Sequence, residues 1–261
     1  ALLSSSSANV ARSAALQRPD LAKVRRRVIN MTTIGDDLLK ESSEQWGPAI
    51  EAMIIFNSNP AAIAPESGKV VQGLARENLF TVVLEHFLTD TTDYADYVFP
   101  ATTQLEHWDI HKAYGHTDVL LNKPAIAPLG QAKSNTEFFR LLAREMGLCQ
   151  AEMAAVFTES DESLCKTAFD GLIDWKVINT QGFVHSSSND APFAKGQFPT
   201  PSGKCEFYSE RLAKQGISAI PTYIANYEVP GSDHRYPLAM ISPPARNFLN
   251  STFVNVQSLR D

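Results

Sequence analysis

Between Ile50 and Leu148 short apolar runs alternate with polar, proline-bearing breaks. "AIEAMIIF" (Ala49–Phe56) is almost continuously apolar, which predicts a strand buried on both faces. It ends in "NSNPAAIAP", where Asn, Ser and two prolines predict a loop. "ESGKVVQGLARENL" then carries Val70, Val71, Leu74 and Leu79 at helical spacing, despite an internal Gly73. "LFTVVLEHF" (Leu79–Phe87) reads as a second strand, and "DYVF" (Asp96–Phe99) as a third, too short to stand except inside a sheet. "NTEFFRLLAREMGL" closes the region as a helix with Phe138, Leu141, Leu142 and Met146 on its apolar stripe. Asn135 or Thr136 can cap it and Gly147 ends it.

Strand, loop, helix, strand in this order is the pattern of a parallel α/β sheet. In such sheets ligands sit at the carboxyl ends of the strands, where following helices begin with unpaired N–H groups. Thr89, Asp90, Thr91 and Thr92, after "VVLEHFL", suit the capping of that turn. Pro100 stops the third strand at the same edge, so two strand ends and their polar loops are expected on one rim.

From residue 149 the pattern changes. "ESLCKTAFDGLI" predicts a short helix, "GFVHSSSNDAPFAKGQFPTPSGK" is turn-rich, and "KCEFYSERL" alternates like a half-exposed strand. Residues 149–230 therefore read as a small irregular α+β subdomain after an α/β portion spanning 1–148. "VPGSDHRYP" reads as a linker, and "YPLAMISP" as the first strand of a further β domain over 231–261. That domain has scarcely begun when the sequence stops. The first 19 residues lack acids and carry two Arg, faintly like a transit peptide, but have no secretory h-region and begin with Ala. A section of a longer polypeptide is the expectation.

Composition narrows the classes. A net charge of -6 over 261 residues gives no global electrostatic footprint for nucleic acid, and the basic run "KVRRR" reads as a solvated face. No apolar run approaches the roughly 18 residues that span a bilayer, so membrane insertion is not expected. Cys149, Cys165 and Cys205 form no CxxC pair, which argues for small core residues over a zinc knuckle or a cysteine-held cluster.

The densest polar cluster is "EHWDIHKAYGH", holding Glu106, His107, Asp109, His111 and His116. His107 and His111 stand four apart, a spacing that puts two imidazoles on one face of a helix. The HExxH order is missing, however, and Tyr114 and Gly115 predict a loop whose histidines donate hydrogen bonds. No nucleophile elbow, phosphate loop or GxGxxG occurs, so no catalytic residue or metal ligand is assigned.

The run from "FNSNPAAIAPESGK" through "TDTTDYADYVFPATTQLEHWDIHKAYGH" resembles the molybdopterin oxidoreductases of the dimethyl sulfoxide reductase superfamily. "LNKPAIAPLGQAKSNTEFFRLLAREMGL", "FPTPSGKCEFYSE" and "YPLAMISPPARNFLNSTFVNVQSLRD" extend the likeness over nearly the whole chain, in the same order. The resemblance implies a Rossmann-like portion of a molybdopterin-binding domain, within an enzyme that binds molybdenum or tungsten through two molybdopterin guanine dinucleotides. Such enzymes catalyse two-electron redox chemistry, often oxygen-atom transfer. Position by position, it implies cofactor contacts at Asn57, Asn59, the Leu84 backbone, Glu85, Thr89, His107 and Asn135. An acid at Glu85 would meet the guanine N1–H and amino group. The plainer readings stay open: Asn57 and Asn59 shape a turn, Glu85 is a solvated strand end, and Asn135 is a helix cap.

Neither the segment that ligates the metal in relatives nor their N-terminal cysteine cluster is found here, so the section alone is expected to be inactive and to expose apolar surface. The resemblance leaves room for an iron–sulfur cluster elsewhere in the polypeptide. As partners it implies the remainder of that polypeptide and allows an iron–sulfur electron-transfer subunit. The compartment, bacterial cytoplasm or periplasm, stays open. One rival reading is a stand-alone, non-catalytic nucleotide-binding or assembly protein of the same descent; another is a metal hydrolase built on the histidine cluster.

Overall fold

The three apolar runs form a single parallel sheet in the computed structural model, which describes residues 16–19, 26–112, 116–148, 157–185, 193–225, 235 and 237–260. The chain divides into two compact units, Ala1–Ser186 with Asn247–Asp261, and Ser187–Arg246. In the first unit the order is α1 (Ile34–Leu38), β1 (Ala52–Phe56), α2 (Pro60–Ile63), α3 (Ser67–Leu74), β2 (Phe80–Glu85) and β3 (Tyr97–Pro100). Next come β4 (Asp109–Lys112), β5 (Asp118–Asn122), α4 (Asn135–Glu145), α5 (Asp161–Phe169), α6 (Trp175–Gln181) and β6 (Phe183–His185). The second unit holds α7 (Glu210–Lys214). None of the described helices is long and apolar enough to cross a membrane.

One face of the β1–β2–β3 sheet carries the first core. Leu38, Ile55, Val70, Leu74, Leu79 and Val83 are buried together where α1 and α3 lie over the sheet. The two helices meet through glycines: a Cβ on Gly73 would stand 2.5 Å from the Leu38 Cβ, and one on Gly35 would stand 2.8 Å from the Lys69 Cβ. That close approach explains the glycine inside an otherwise good helical pattern.

The other face is only partly covered. Phe138 and Phe139 of α4 pack on Phe99 and Phe56, each pair with ring centroids 5.3 Å apart. Beside them runs a groove of about 770 Å³ lined by Ile54, Phe80, Leu84, Tyr97, Leu141 and Leu142. The expectation that β1 is buried on both faces is therefore corrected. Ile55 is 4% exposed, but Ile54 and Phe56 are 39% and 43% exposed, because helices cover the sheet fully on one side only.

A second sheet, antiparallel β4–β5–β6, was not anticipated. Ile110 pairs with Leu121, and Val119 with Val184. Helices α5 and α6 close its core around Val119, Leu121, Cys165, Phe169 and Ile178, flanked by Trp108 and Trp175. These helices and β6 come from the stretch read as a separate subdomain, yet they complete the first unit. Burial, with Asp109, Asp161 and Glu162 nearby, pushes the Cys165 thiol up to about 12, as suits an inert core cysteine.

Two strand expectations do not hold. "KCEFYSERL" forms no strand; Ser209 accepts from Leu212 N and caps α7 instead. Residues 237–243 form no regular element, with Leu238, Met240 and Ile241 exposed, and no described strand pairs with them to satisfy their backbone. Tyr236, Cys149, Tyr114, Gly115, most of the "VPGSDHRYP" linker and the first three residues of "KVRRR" lie outside the described residues.

Substituting Gly73→Ala should cost about 1–3 kcal/mol through overpacking against Leu38. Helix propensity alone would instead stabilise by about 1 kcal/mol. Urea unfolding separates the two, and a stabilised variant would contradict the close packing of α1 on α3.

Candidate functional site

Strand register sets the geometry of the site. Phe56 pairs with Leu84, Leu84 with Phe99, and Glu85 with Pro100, so the three parallel strands end nearly in line. Asn57, His86 and Ala101 leave the sheet at that rim. Asn57 takes a left-handed φ of 55°, a conformation that Asn tolerates better than most side chains. Ala101 bridges to Lys133 in parallel, which brings the start of α4 to the same edge. Ser134 caps that helix by accepting from Glu137 N at 3.2 Å, one residue before the expected caps.

A polar cavity of about 370 Å³ opens there, lined by Asn57, His86, Thr102, Gln104, His107, Trp108, Asp109, the cap Ser134 and the first residues of α4, Asn135 and Thr136. Asn135 Nδ2 donates to Asn57 Oδ1 at 3.0 Å, while Asn135 Oδ1 is buried with no partner among the described residues. His107 Nδ1 lies 2.8 Å from the Thr102 hydroxyl. His86 Nε2 lies 2.9 Å from the Thr102 carbonyl, an acceptor only, so this nitrogen carries the proton and donates.

The seven residues singled out from the sequence are not brought together as a set. Asn57, His107 and Asn135 share the cavity. Asn59 is 4% exposed and occupied elsewhere: it donates to Asp90 Oδ2 at 3.1 Å and accepts from Thr91 N and the Thr91 hydroxyl at 3.2 and 2.7 Å. The Thr91 hydroxyl in turn accepts from Ala61 N, so Asn59 stitches two strand-end loops together. Leu84 sends its side chain to the groove on the sheet's partly covered face. Glu85 accepts from His86 N at 2.8 Å and stands at the strand end outside the cavity lining. Thr89 exchanges two bonds with the Thr92 hydroxyl, at 2.9 and 2.6 Å, and shapes a turn. Sequence reasoning missed His86 and Thr102: the predicted second strand runs on to Phe87 and absorbs His86, while Thr102 stands just past the stop at Pro100.

The sequence profile of the family described as molybdopterin oxidoreductase matches residues 9–145, just over half of the chain. The chain belongs to the molybdopterin oxidoreductase family. It is 42% identical over 249 residues to the probable oxidoreductase YoaE of Bacillus subtilis, covering 92% of this chain and 35% of that protein. To the dimethyl sulfoxide/trimethylamine N-oxide reductase of Cereibacter sphaeroides it is 26% identical, covering 82% of this chain and 29% of that one. Acetylene hydratase from Pelobacter acetylenicus shares the fold, with a TM-score of 0.61 and 24% identity over 79% of this chain and 28% of that structure. The chain thus spans about a third of the length of these relatives.

In this molybdopterin oxidoreductase chain the "EHWDIHK" stretch runs from a turn into β4 and is not a loop throughout. Asp109 Oδ2 lies 4.0 Å from His107 Nε2 and 3.9 Å from His111 Nε2. Even so, the described residues contain no group of three or more His, Cys, Asp or Glu able to hold a metal ion. Glu106 supports the cavity wall from behind. Its carboxylate accepts from Thr103 N at 2.7 Å, Leu129 N at 2.6 Å and the Thr103 hydroxyl at 2.8 Å. The Thr103 backbone bond first, then the other two, hold its carboxyl below the usual carboxylate range.

A carboxylate depressed in this way stabilises the fold above its ordinary pKa, and the stabilisation fades as pH falls through the lowered value. Glu106→Gln should therefore unfold at a lower temperature than the parent near neutrality, with the difference narrowing in acid. Thermal unfolding across that range checks this; a pH-independent difference would mean that the charge of Glu106 contributes nothing.

Proposed function

We propose that this chain is the part of a molybdopterin-dependent oxidoreductase that binds a guanine dinucleotide end of the cofactor, in the cavity at the carboxyl rim of the parallel sheet. The observation that carries this reading is Asn135 Oδ1, a buried acceptor without a partner among the described residues, in a polar cavity. A buried polar atom left unpaired costs free energy that a ligand donor recovers. The cavity's size, about 370 Å³, suits a nucleoside portion.

The lining chemistry fits such a group. Asn135 Oδ1 would accept from a base N–H, while Glu85, outside the lining, holds the His86 backbone at the strand end. His107 and the N–H groups of Asn135 and Thr136, which the Ser134 cap does not use, favour phosphate oxygens. When bound, the cofactor supplies the redox chemistry of molybdenum or tungsten; the residues here bind and orient its nucleotide end. The lining holds no nucleophile paired with a base, so the chain by itself is expected to bind and not to turn over.

Two-electron redox chemistry, including oxygen-atom transfer, is the activity we infer for the whole protein, in keeping with one relative named as a probable oxidoreductase and another as a reductase. A relative named for hydration has the same fold, so substrate choice rests on residues beyond this cavity. The rest of a longer polypeptide is the natural cover for the 770 Å³ apolar groove, and an iron–sulfur electron-transfer subunit is a compatible partner.

Titration calorimetry with guanosine diphosphate, adenosine diphosphate and cytidine diphosphate tests the reading. Guanosine diphosphate should bind best, and Asn135→Ala should weaken it about tenfold, the worth of one hydrogen bond to a buried acceptor. Equal affinity for all three, or none for any, would contradict it.

A further inference from the structure

Asp161 opens α5, whose Cys165 and Phe169 sit in the core of the antiparallel layer. Its carboxylate reaches out of that layer to the first turn of α4. It accepts from the Ser134 hydroxyl at 2.6 Å, the Thr136 hydroxyl at 2.5 Å and Arg140 Nη2 at 2.7 Å. Arg140 is held on its other side by Glu137 Oε2, at 2.9 and 3.0 Å. The Asp161 and Arg140 side chains are only 16% and 15% exposed. Burial pushes the Asp161 carboxyl up, but the bonds from Ser134, Thr136 and Arg140 outweigh it and leave the group below the usual carboxylate range.

The arrangement brackets a single residue. Ser134 and Thr136 flank Asn135, and both give their hydroxyl protons to Asp161. Ser134 Oγ has one proton; spending it on Asp161 turns a lone pair toward Glu137 N, which is the cap that starts α4. Among the described residues, Asn135 has only the Asn57 amide to hold its own side chain, at 3.0 Å. Its direction into the cavity is therefore set by the backbone on either side, and that backbone is tied to Asp161.

We propose that Asp161 is a positioning residue for nucleotide binding: from the neighbouring layer it fixes the start of α4 so that Asn135 presents its acceptor to the cavity. This rests on the nucleotide reading above. A plain structural ion pair would stabilise the unit without any special dependence on Asn135. A positioning residue acts through Asn135, and its loss matters to the ligand only while Asn135 is there to be misplaced.

The test is a double-variant cycle read with guanosine diphosphate on the intact chain. Asp161→Asn and Asn135→Ala should each weaken binding about tenfold, and the double variant no more than Asn135→Ala alone. Losses that multiply in the double variant, or full affinity in Asp161→Asn, would overturn the proposal. If the parent chain binds no guanosine diphosphate, the nucleotide reading itself fails, and the role of Asp161 is read without ligand from the NMR signals of the Asn135 side-chain amide. These should shift and broaden in Asp161→Asn and, should that variant unfold, in the milder Thr136→Val; unchanged signals would overturn the positioning role.

Discussion

The parallel pairing of Phe56 with Leu84 and of Leu84 with Phe99 is the constraint on which the rest of the first unit depends. It brings three strand ends to one line and sends Asn57, His86 and Ala101 out over a common rim. The Ala101–Lys133 bridge then adds the start of α4 to that rim. Side chains did not have to be gathered from distant places; backbone register gathers them. The buried Asn59–Thr91 pair ties together the loops that follow β1 and β2.

Around this line the two layers divide the work. The glycine contact of α1 on α3 makes the well-packed floor, and the antiparallel sheet with α5 and α6 makes a second core of its own. The polar cavity lies at the carboxyl edge, where parallel sheets meet their ligands. The apolar groove lies on a different face and carries a different demand: parallel sheets in α/β proteins have both faces covered, and here α4 covers the second face only in part. A polar rim and a partly covered apolar face thus stand on separate sides of one sheet in this molybdopterin oxidoreductase chain.

The parts of the fold legible in the sequence were those with dense, uninterrupted signals. "AMIIF", "FTVVLE" and "YVFP" became β1 to β3, and the stripe through Phe138, Leu141 and Leu142 became α4. The antiparallel sheet stayed hidden because "DIHK" and "DVLLN" are short and mixed in polarity, and β6 is three residues contributed from beyond α6. "KCEFYSERL" shows the opposite error: alternation alone makes no strand where no neighbour offers a ladder. At the site, the Asn59 amide looked as suited to a ligand as that of Asn57, two residues away. Only packing reveals that Asn59 spends its bonds on Thr91 and Asp90, and sequence also could not tell that His86 turns into the cavity while Glu85 does not.

The most direct measurement of the central claim is a map of backbone and side-chain amide signals of the chain as guanosine diphosphate is added. Binding at the carboxyl rim predicts changes at Asn57, His86, Thr102 and Asn135, with Ile54, Phe80 and Leu141 in the apolar groove unmoved. Changes centred on the groove, or spread without regard to the strand ends, would contradict the account.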